Sequence, residues 1–430
     1  MLDFFTLFKL QGFPVKKALN TWTELQQIEN LHAWQSQQAW QMVHYHQINN
    51  RGYADFLSGR PDQWDQIPVL DKDVMRRFAI NDPSCLKKGQ KYYFASTSGS
   101  TGKPFRFAKD YLSHTLTWAG IAHFYQKVGV DMNDLQARFY GIPSAFIANR
   151  TERIKDFLGH RWRFPLLNLS DDSLEEWINL FIRRPFAYLY GYSYPIISFA
   201  QYLDKTGRTL KQLVPSLKAC ILTAEMCESN ERQLVEKSLG VPVCNEYGTS
   251  EFGIVGFSTG DYWELPNELL LVEILDDAGN LLPYGNLGNI TVTSLFCKGT
   301  PFIRYQTGDL GVMNEVNGQQ VITQLFGRRE AMAVLPSGKK TPGDTAFYYV
   351  FSDFTSRYNI VTEYKVIQKA VNQFEINYTA PRDLEKSETD YLLELCEQTL
   401  EKDLEFRFMR HQELDRTRMG KFKRFESEVK

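Results

Sequence analysis

A loop rich in glycine and hydroxyl side chains, at residues 96–107, holds the residues best suited to chemistry. It reads STSGSTGKPFRF and begins with Ser96, Thr97, Ser98, Gly99, Ser100, Thr101, Gly102 and Lys103. Glycine permits close backbone approach, so the hydroxyls and backbone N–H groups of such a loop can surround a polyphosphate, to which the lysine adds positive charge. The loop therefore predicts a phosphate site, although a Ser/Gly-rich stretch alone is also typical of an ordinary turn.

The spacing of this loop excludes a P-loop. That motif needs a glycine five residues before its Gly-Lys pair and a hydroxyl residue directly after the lysine. Thr97 stands at the first of these positions and Pro104 at the second. Any phosphates are therefore held in another way.

Four further stretches carry polar residues suited to binding. They are NEYGTSEFG (245–253), IRYQTGDLG (303–311), FGRREAM (326–332) and RTRMGKFKRF (416–425). The residues of interest in them are Asn245, Tyr247, Gly248, Thr249, Ser250, Glu251, Asp309, Arg328 and Lys421. Each stretch alone is typical of a turn or a solvated tail. Only their occurrence together in one chain indicates a binding site.

Composition narrows the class of protein. With 430 residues, the chain is expected to form two or more domains. Lys and Arg number 49 against 51 Asp and Glu, and this balance argues against a general binder of nucleic acid or membrane surfaces. The composition favours an enzyme acting on small molecules.

The six cysteines include no Cys-x-x-Cys pair, so they indicate neither a zinc site nor a disulfide framework. We expect reduced thiols, a cytoplasmic location and no metal site built by the protein alone. The apolar start, MLDFFTLFKLQGFPVKK, is interrupted by Asp3 and Lys9. It predicts an amphipathic packing helix rather than a signal peptide or a membrane span.

The elements that must position these residues follow from hydrophobic periodicity. Residues 1–90 are expected to be mainly helical, with one helix from Thr23 to Tyr45. Residues 92–107 predict a β-hairpin whose turn is the hydroxyl-rich loop. Short apolar runs at 187–192, 218–225 and 241–248 alternate with helices, which indicates a largely parallel sheet. The stretch at 245–253 then lies at the carboxyl edge of that sheet, where open α/β sheets bind ligands.

The hydrophobic pattern of the sequence changes beyond residue 251. Alternating apolar residues there predict an antiparallel sheet or barrel appended to the α/β core. The final 100 residues predict a separate α+β domain. We therefore expect an α/β protein with a large N-terminal domain, 1–327, and a small mobile C-terminal domain, 328–430.

Taken together and in this order, the stretches resemble the motifs of the adenylate-forming (acyl-CoA ligase) superfamily. The resemblance rests on residues 96–104, 247–251, 307–309, 327–328 and 420–421. IPVLDKDVMRRF (67–78), GYSYP (191–195) and TAEMCES (223–229) are more specifically similar to phenylacetate–CoA ligases and capsule-biosynthesis relatives.

This resemblance implies a two-step reaction that uses ATP, Mg²⁺ and coenzyme A. A small-molecule carboxylate, aryl or acyl, attacks the α-phosphate of ATP, and the thiol of coenzyme A then displaces AMP. Two alternatives stay open: transfer of the acyl group to a carrier protein, amine or sugar, and a non-catalytic nucleotide-binding relative. The oligomeric state, monomer or homodimer, is also open.

The resemblance also implies roles for single residues. The loop from Ser96 to Lys103 would wrap the β- and γ-phosphates, Ser250 would contact the α-phosphate and Glu251 would hold Mg²⁺. Tyr247 would stack on adenine and Asn245 would contact its amino edge, within the motif that includes Gly248 and Thr249. Ala224 and Glu225 would form the opposite wall of the adenine slot. Asp309 would accept from both ribose hydroxyls, and Arg328 would brace the ribose or the phosphate.

Lys421 would bridge the carboxylate and the α-phosphate, with Lys423 as the alternative, and the last domain would rotate between the half-reactions. Glu330 stands where relatives usually carry the hinge aspartate, and Ala331 replaces a second acid. Phe146, Tyr192 and Tyr194 are hypothesised to line the acyl pocket, although plain core is the simpler interpretation of these three residues.

Overall fold

The structure, a computed structural model, describes most of the chain. The described residues are 3–57, 59–76, 86–96, 105–140, 146–166, 169–223, 227, 229–328, 332–358, 360–415 and 423–429. They fold as two compact units, Met1–Thr307 with Gly311–Gln324, and Gly308–Leu310 with Leu325–Lys430. Within the described helices, none is long and apolar enough to cross a membrane.

The chain begins with short helices. They are α1 (Phe4–Leu10), α2 (Val15–Leu25), α3 (Leu31–Asn49), α4 (Arg51–Leu57) and, after a 3₁₀ turn at Trp64–Gln66, α5 (Lys72–Met75). The prediction of one helix from Thr23 to Tyr45 is wrong. Asn30 leaves the helical conformation and its side-chain oxygen accepts a hydrogen bond from the Ala33 N–H at 3.0 Å, so a new helix begins there.

The predicted hairpin is present as β1 (Tyr92–Ser96) and β2 (Arg106–Asp110), in which Ser96 pairs with Arg106. The long helix α6 (Tyr111–Gln126) follows. Its N-cap is Asp110, whose carboxylate accepts from the backbone N–H of Ser113 at 3.1 Å and of Lys298 at 2.7 Å. The hairpin and the helix are therefore joined by the same capping residue.

The middle of the chain alternates between strands and helices. In order it forms β3 (Gln136–Phe139), α7 (Phe146–Leu158), β4 (Arg161–Arg163), α8 (Asp171–Arg183), β5 (Tyr188–Tyr192), α9 (Ser193–Lys205), α10 (Leu210–Leu213), β6 (Ala219–Thr223), α11 (Ser229–Leu239) and β7 (Val243–Thr249). The five strands pair in parallel in the order β4-β3-β5-β6-β7.

Antiparallel strands continue the same sheet. They are β8 (Gly253–Ser258), β9 (Trp263–Glu264), β10 (Leu270–Leu275), β11 (Leu287–Ser294), β12 (Tyr305–Val316) and β13 (Gln319–Arg328). With the parallel strands they complete an 11-stranded sheet in the order β10-β11-β12-β13-β9-β8-β7-β6-β5-β3-β4. The predicted α/β fold with an antiparallel extension is confirmed, and the two parts are one continuous sheet.

The second unit is α+β. It contains β14 (Met332–Val334), β15 (Lys340–Pro342), α12 (Gly343–Tyr358), β16 (Glu363–Ala370), β17 (Gln373–Thr379), α13 (Lys386–Thr399), β18 (Glu405–His411) and β19 (Phe425–Ser427). Four of these strands form a sheet in the order β18-β17-β16-β19. Its core includes Phe347, Phe354 and Val366. The mobility of this unit stays a prediction.

Both faces of the parallel strands are buried. One face packs on a cluster that includes Phe139, Trp177 and Phe199, and the other on a cluster that includes Phe124 and Phe257. Burial on both sides explains why β6 reads as a continuous apolar run instead of alternating. It also leaves the carboxyl ends of the strands as the place where polar side chains collect.

His46 gives the fold a specific pH dependence. Its Nε2 lies 2.9 Å from the Cys297 carbonyl oxygen, and burial lowers its pKa from 6.5 to about 4. As the pH falls from 6.5 to 4 the unfolded chain takes up this proton first, so the stability that His46 contributes above pH 6.5 is lost. The difference between the pKa values of His46 in the unfolded and folded chain corresponds to about 3 kcal/mol.

We expect His46→Gln, which keeps a side-chain donor but does not titrate, to lose less stability between pH 7 and 4.5 than the unchanged protein. Urea unfolding at several pH values measures this difference. The exposed His32, changed to Gln, is the control and should follow the unchanged protein. Equal pH dependence of all three proteins would contradict the assignment.

Candidate active site at the carboxyl edge of the parallel strands

The motif at residues 245–251 lies at the carboxyl end of β7. Asn245, Tyr247, Gly248 and Thr249 belong to the strand, and Ser250 and Glu251 form the turn into β8. This turn is fixed by the Thr249 hydroxyl, which accepts from the Phe252 backbone N–H at 3.1 Å. The Tyr247 hydroxyl donates to Thr307 Oγ1 at 3.2 Å, which anchors the ring. The motif is therefore rigidly held at the edge where parallel sheets bind ligands.

Glu251 is a buried carboxylate within reach of a hydroxyl and an ammonium group. Its residue is only 6% exposed. The Tyr305 hydroxyl donates to Oε1 at 2.9 Å, and the Lys72 Nζ lies 3.8 Å from the same oxygen. A hydroxyl and an ammonium group therefore face the same carboxylate oxygen. The site therefore holds a negative oxygen ligand in a fixed position.

Lys72 reaches Glu251 because Arg304 fixes the preceding segment. The Arg304 guanidinium donates to the Ile67 carbonyl oxygen at 2.7 Å and to the Gly279 carbonyl oxygen at 2.9 Å. Its own carbonyl oxygen accepts from the Leu70 N–H at 2.9 Å. Since Lys72 follows two residues later, this arginine positions the ammonium group.

Lys109 is a buried cation beside the same carboxylate. Its pKa is lowered from 10.5 to about 8, because burial disfavours the charge more than Cys297 and Glu251 favour it. The side chain lines a cavity of about 30 Å³ together with Ser113, Glu251 and Cys297. That volume has room for about two water molecules. No hydrogen bond or ion pair of Lys109 Nζ is found among the residues described.

A second carboxylate, Glu246, lies on the opposite face of β7 from Tyr247. It accepts hydrogen bonds from the hydroxyls of Tyr125 and Tyr190, each at 2.9 Å, and of Thr223 at 3.5 Å. Burial raises its pKa, against the opposing effect of these three hydroxyls. The carboxylate therefore lies in a neutral hydrogen-bonded network.

The sequence is similar to those of known proteins over parts of its length. The chain matches no protein-family model. It is 34% identical to a phenylacetate–coenzyme A ligase of Thermus thermophilus over 122 residues, which are 26% of this chain and 26% of that ligase. It is 26% identical to Protein CapK of Staphylococcus aureus over 71% of this chain and 69% of that protein. The first match therefore spans about a quarter of the ligase's length.

Solved structures extend the likeness to most of the chain. A crystal structure of 2-hydroxyisobutyryl-CoA ligase in the postadenylation state, in complex with R3-HIB-AMP, superposes with a TM-score of 0.68. The likeness covers 91% of this chain and 87% of that one, at 15% identity. The chain has the fold of the adenylate-forming acyl-CoA ligases. The predicted resemblance to phenylacetate–CoA ligases is confirmed by the curated relatives.

The structure describes part of the predicted site, whose roles stay predictions. Asn245, Tyr247, Gly248, Thr249, Ser250 and Glu251 are brought together, and Ser96 is the last residue of β1. Asp309 lies on β12, 6% exposed, within the second compact unit. Only the backbone of Arg328 is described, at the end of β13, and only that of Phe146 in α7.

The remaining predicted residues lie outside the described part of the chain. They are Thr97, Ser98, Gly99, Ser100, Thr101, Gly102, Lys103, Ala224, Glu225, Glu330, Ala331 and Lys421. The alternative lysine, Lys423, is described and lies 3.7 Å from a Glu426 oxygen. The roles given to all these residues stay predictions.

Sequence reasoning missed Lys72, Lys109, Glu246 and Tyr305. The available signal was a charge within an apolar run, as at Lys109 in FRFAKD and at Glu246 in VCNEYG. Such a charge is buried only if it has a partner or a function. Tyr305 had no signal, because its partner Glu251 is 54 residues away.

The donor set suits magnesium bound through a nucleotide. Among the described residues, no group of three His, Cys, Asp or Glu side chains could hold a metal ion by itself. Glu251 offers one anionic oxygen, and Mg²⁺ commonly takes one or two protein carboxylates while substrate phosphates and water complete its shell. Glu251 therefore fits Mg²⁺ carried by ATP.

Arg304 yields a stability prediction. Its Nε lies 3.7 Å from Glu273 Oε1, and both side chains are buried. Arg304→Met would leave the Glu273 charge without its cation, so we expect a loss of about 3–5 kcal/mol in the free energy of unfolding, measured with urea. The exposed Arg60→Met should change it by less than about 0.5 kcal/mol. A comparable, small effect of both changes would refute the anchoring role.

Proposed function

We propose that this chain activates a carboxylic acid with ATP, forming an acyl-adenylate and pyrophosphate, and then transfers the acyl group to coenzyme A. One observation carries the proposal: in a chain with the adenylate-forming fold, Glu251 is buried at the carboxyl edge of the sheet and held by Tyr305 and Lys72. The curated relatives named phenylacetate–coenzyme A ligase support the choice of reaction.

The first step is difficult because one anion must approach another. The carboxylate of the substrate attacks the α-phosphate of ATP, and negative charge accumulates between them. Fixed positive groups at that point lower the barrier without needing to reorganise. Lys103 of the hydroxyl-rich loop and Lys421 of the C-terminal tail are the cations that we assign to this task.

We assign the remaining motif residues to binding of the nucleotide. Tyr247 offers its ring to adenine and Asn245 its amide, while Ser250 donates to the α-phosphate. Asp309 accepts from the ribose hydroxyls. Glu251 would hold Mg²⁺, which when bound would neutralise phosphate charge. The hydrogen bond to the Thr249 hydroxyl fixes the turn that carries Ser250 and Glu251.

The partners follow from the reaction. We propose a small-molecule carboxylic acid as substrate, coenzyme A as acceptor and the cytoplasm as the compartment. The described cysteines Cys220, Cys227, Cys244, Cys297 and Cys396 are free thiols, as a reducing compartment favours. Mass spectrometry after incubation with ATP, mixed acids and coenzyme A identifies the acyl-adenylate and then the thioester. An adenylate without a thioester would favour another acceptor.

ATP–pyrophosphate exchange tests the tail lysine. Lys421→Ala removes a charge that acts on the developing transition state, so we expect exchange to fall about 10²–10³-fold. Lys402→Ala removes an exposed lysine of the same unit and serves as the matched control.

Lys423→Ala distinguishes the two tail lysines. Exchange that survives Lys421→Ala but falls about 10²-fold in Lys423→Ala would transfer the role to Lys423. Exchange that both variants retain would remove the tail from the mechanism.

Glu251→Gln tests the magnesium ligand. The neutral amide binds Mg²⁺ more weakly than a carboxylate, so we expect the Mg²⁺ concentration for half-maximal exchange to rise about tenfold or more. Electron paramagnetic resonance of free Mn²⁺, titrated into protein and ATP, measures the metal affinity independently of turnover. Glu268→Gln removes another partly buried carboxylate and is the control. Unchanged Mn²⁺ binding in Glu251→Gln would refute the assignment.

A further inference from the structure

A row of polar side chains crosses four neighbouring parallel strands at their carboxyl ends. Tyr140 directly follows β3, Tyr190 lies in β5, Thr223 ends β6 and Glu246 lies in β7. The Tyr140 ring stacks on the Tyr190 ring with centroids 5.6 Å apart, and the hydroxyls of Tyr190 and Thr223 donate to Glu246. The row is therefore one connected network at the ligand-binding edge.

The network ends in a charge that lacks a direct cationic partner. Arg138 is the nearest cation, and its guanidinium stacks on the rings of Tyr140 and Tyr190, 4.6 Å and 5.4 Å from their centroids. Among the described residues, no ammonium or guanidinium nitrogen lies within 4 Å of the Glu246 carboxylate. Three neutral hydroxyls use three of its roughly four acceptor positions, so the described residues supply no donor to the fourth.

Gly248 leaves space beside this carboxylate. A Cβ at this glycine would lie 3.3 Å from Glu246 Oε1 and 3.9 Å from Thr223 Oγ1. Gly248 is exposed, and Glu246 is partly exposed, whereas Tyr125 and Thr223 are buried. An exposed glycine of the motif assigned to the nucleotide therefore lies directly beside the carboxylate.

A carboxylate in an acyl subsite is unfavourable for a purely apolar acid. Binding an apolar group over Glu246 would bury a polar carboxyl oxygen without giving it a further hydrogen bond, which is costly. A cationic amine on the substrate would instead complete a charge-assisted hydrogen bond. A purely structural network would have no need of a charge, since a neutral acceptor such as glutamine could receive the same hydroxyls.

We propose that Glu246 is a specificity-determining residue, and that the acid activated by this chain carries a cationic amine which Glu246 binds. The tyrosines and Thr223 orient the carboxylate for that contact. This inference rests on the proposed function. It narrows the substrate from aryl or simple acyl acids in general to carboxylic acids that also carry an amine.

Matched pairs of acids test the inference by ATP–pyrophosphate exchange. The pairs are 6-aminohexanoate with hexanoate and 4-(aminomethyl)benzoate with 4-methylbenzoate. We expect the unchanged protein to prefer an amine-bearing acid over its partner by about 10- to 100-fold in kcat/KM, the range for one hydrogen bond to a charged group. Glu246→Gln should reduce that preference by a similar factor through KM, and Glu246→Leu should reverse it.

Glu268→Gln is the control and should retain the preference of the unchanged protein. Thermal melting of each variant, with and without ATP, separates a folding defect from a binding defect. The preference of the unchanged protein for amine-bearing acids can be measured without any variant. The inference therefore stays testable even if Glu246→Gln fails to fold.

Two outcomes separate this inference from the proposed function. Exchange that is equal or faster with the apolar acids, and is unaltered in Glu246→Gln, would overturn the amine subsite while leaving adenylation intact. Absence of exchange with every acid, in both the unchanged protein and Glu246→Leu, would overturn the proposed function itself.

Discussion

Two carboxylates held in low-dielectric surroundings impose the main constraint on this protein. Glu251 and Glu246 both lie near the carboxyl end of β7 and face different environments. Glu251 lies beside a hydroxyl and an ammonium group, whereas Glu246 accepts hydrogen bonds from neutral hydroxyls, and the Arg138 charge acts with them against the effect of burial on its pKa. An isolated buried charge is costly, so each carboxylate requires a dedicated set of partners. These partners come from elements far apart in the chain.

The supporting structure supplies those partners through a few anchor points. Arg304, held in a left-handed backbone conformation with φ of 45°, ties the segment before Lys72 to the start of β12. The Asp110 cap joins the hairpin, α6 and the Lys298 backbone. Because α6 also carries Tyr125, the helix that is capped next to the β1–β2 hairpin delivers a hydrogen-bond donor to Glu246. Packing between distant elements thus fixes the positions of these charged groups relative to one another.

Much of the fold and some of the site were predictable from sequence. The alternation of strands and helices indicated the parallel sheet, and the stretch at 245–251 was correctly expected at its carboxyl edge. The single helix from Thr23 to Tyr45 was wrong, because local capping by Asn30 outweighed the apolar periodicity. Lys109 and Glu246 were missed as site residues, since periodicity describes which face is apolar and says nothing of which buried charges meet.

The sequence by itself determined the motifs, their order and the type of each element, because propensity, capping and hydrophobic period act over a few residues. Only the tertiary structure decided which charges share a site. Tyr305 meets Glu251 across 54 residues and Tyr125 meets Glu246 across 121. Such contacts depend on strand order and helix packing, which no local pattern specifies. The chemistry of the edge therefore emerges only when the sheet is assembled.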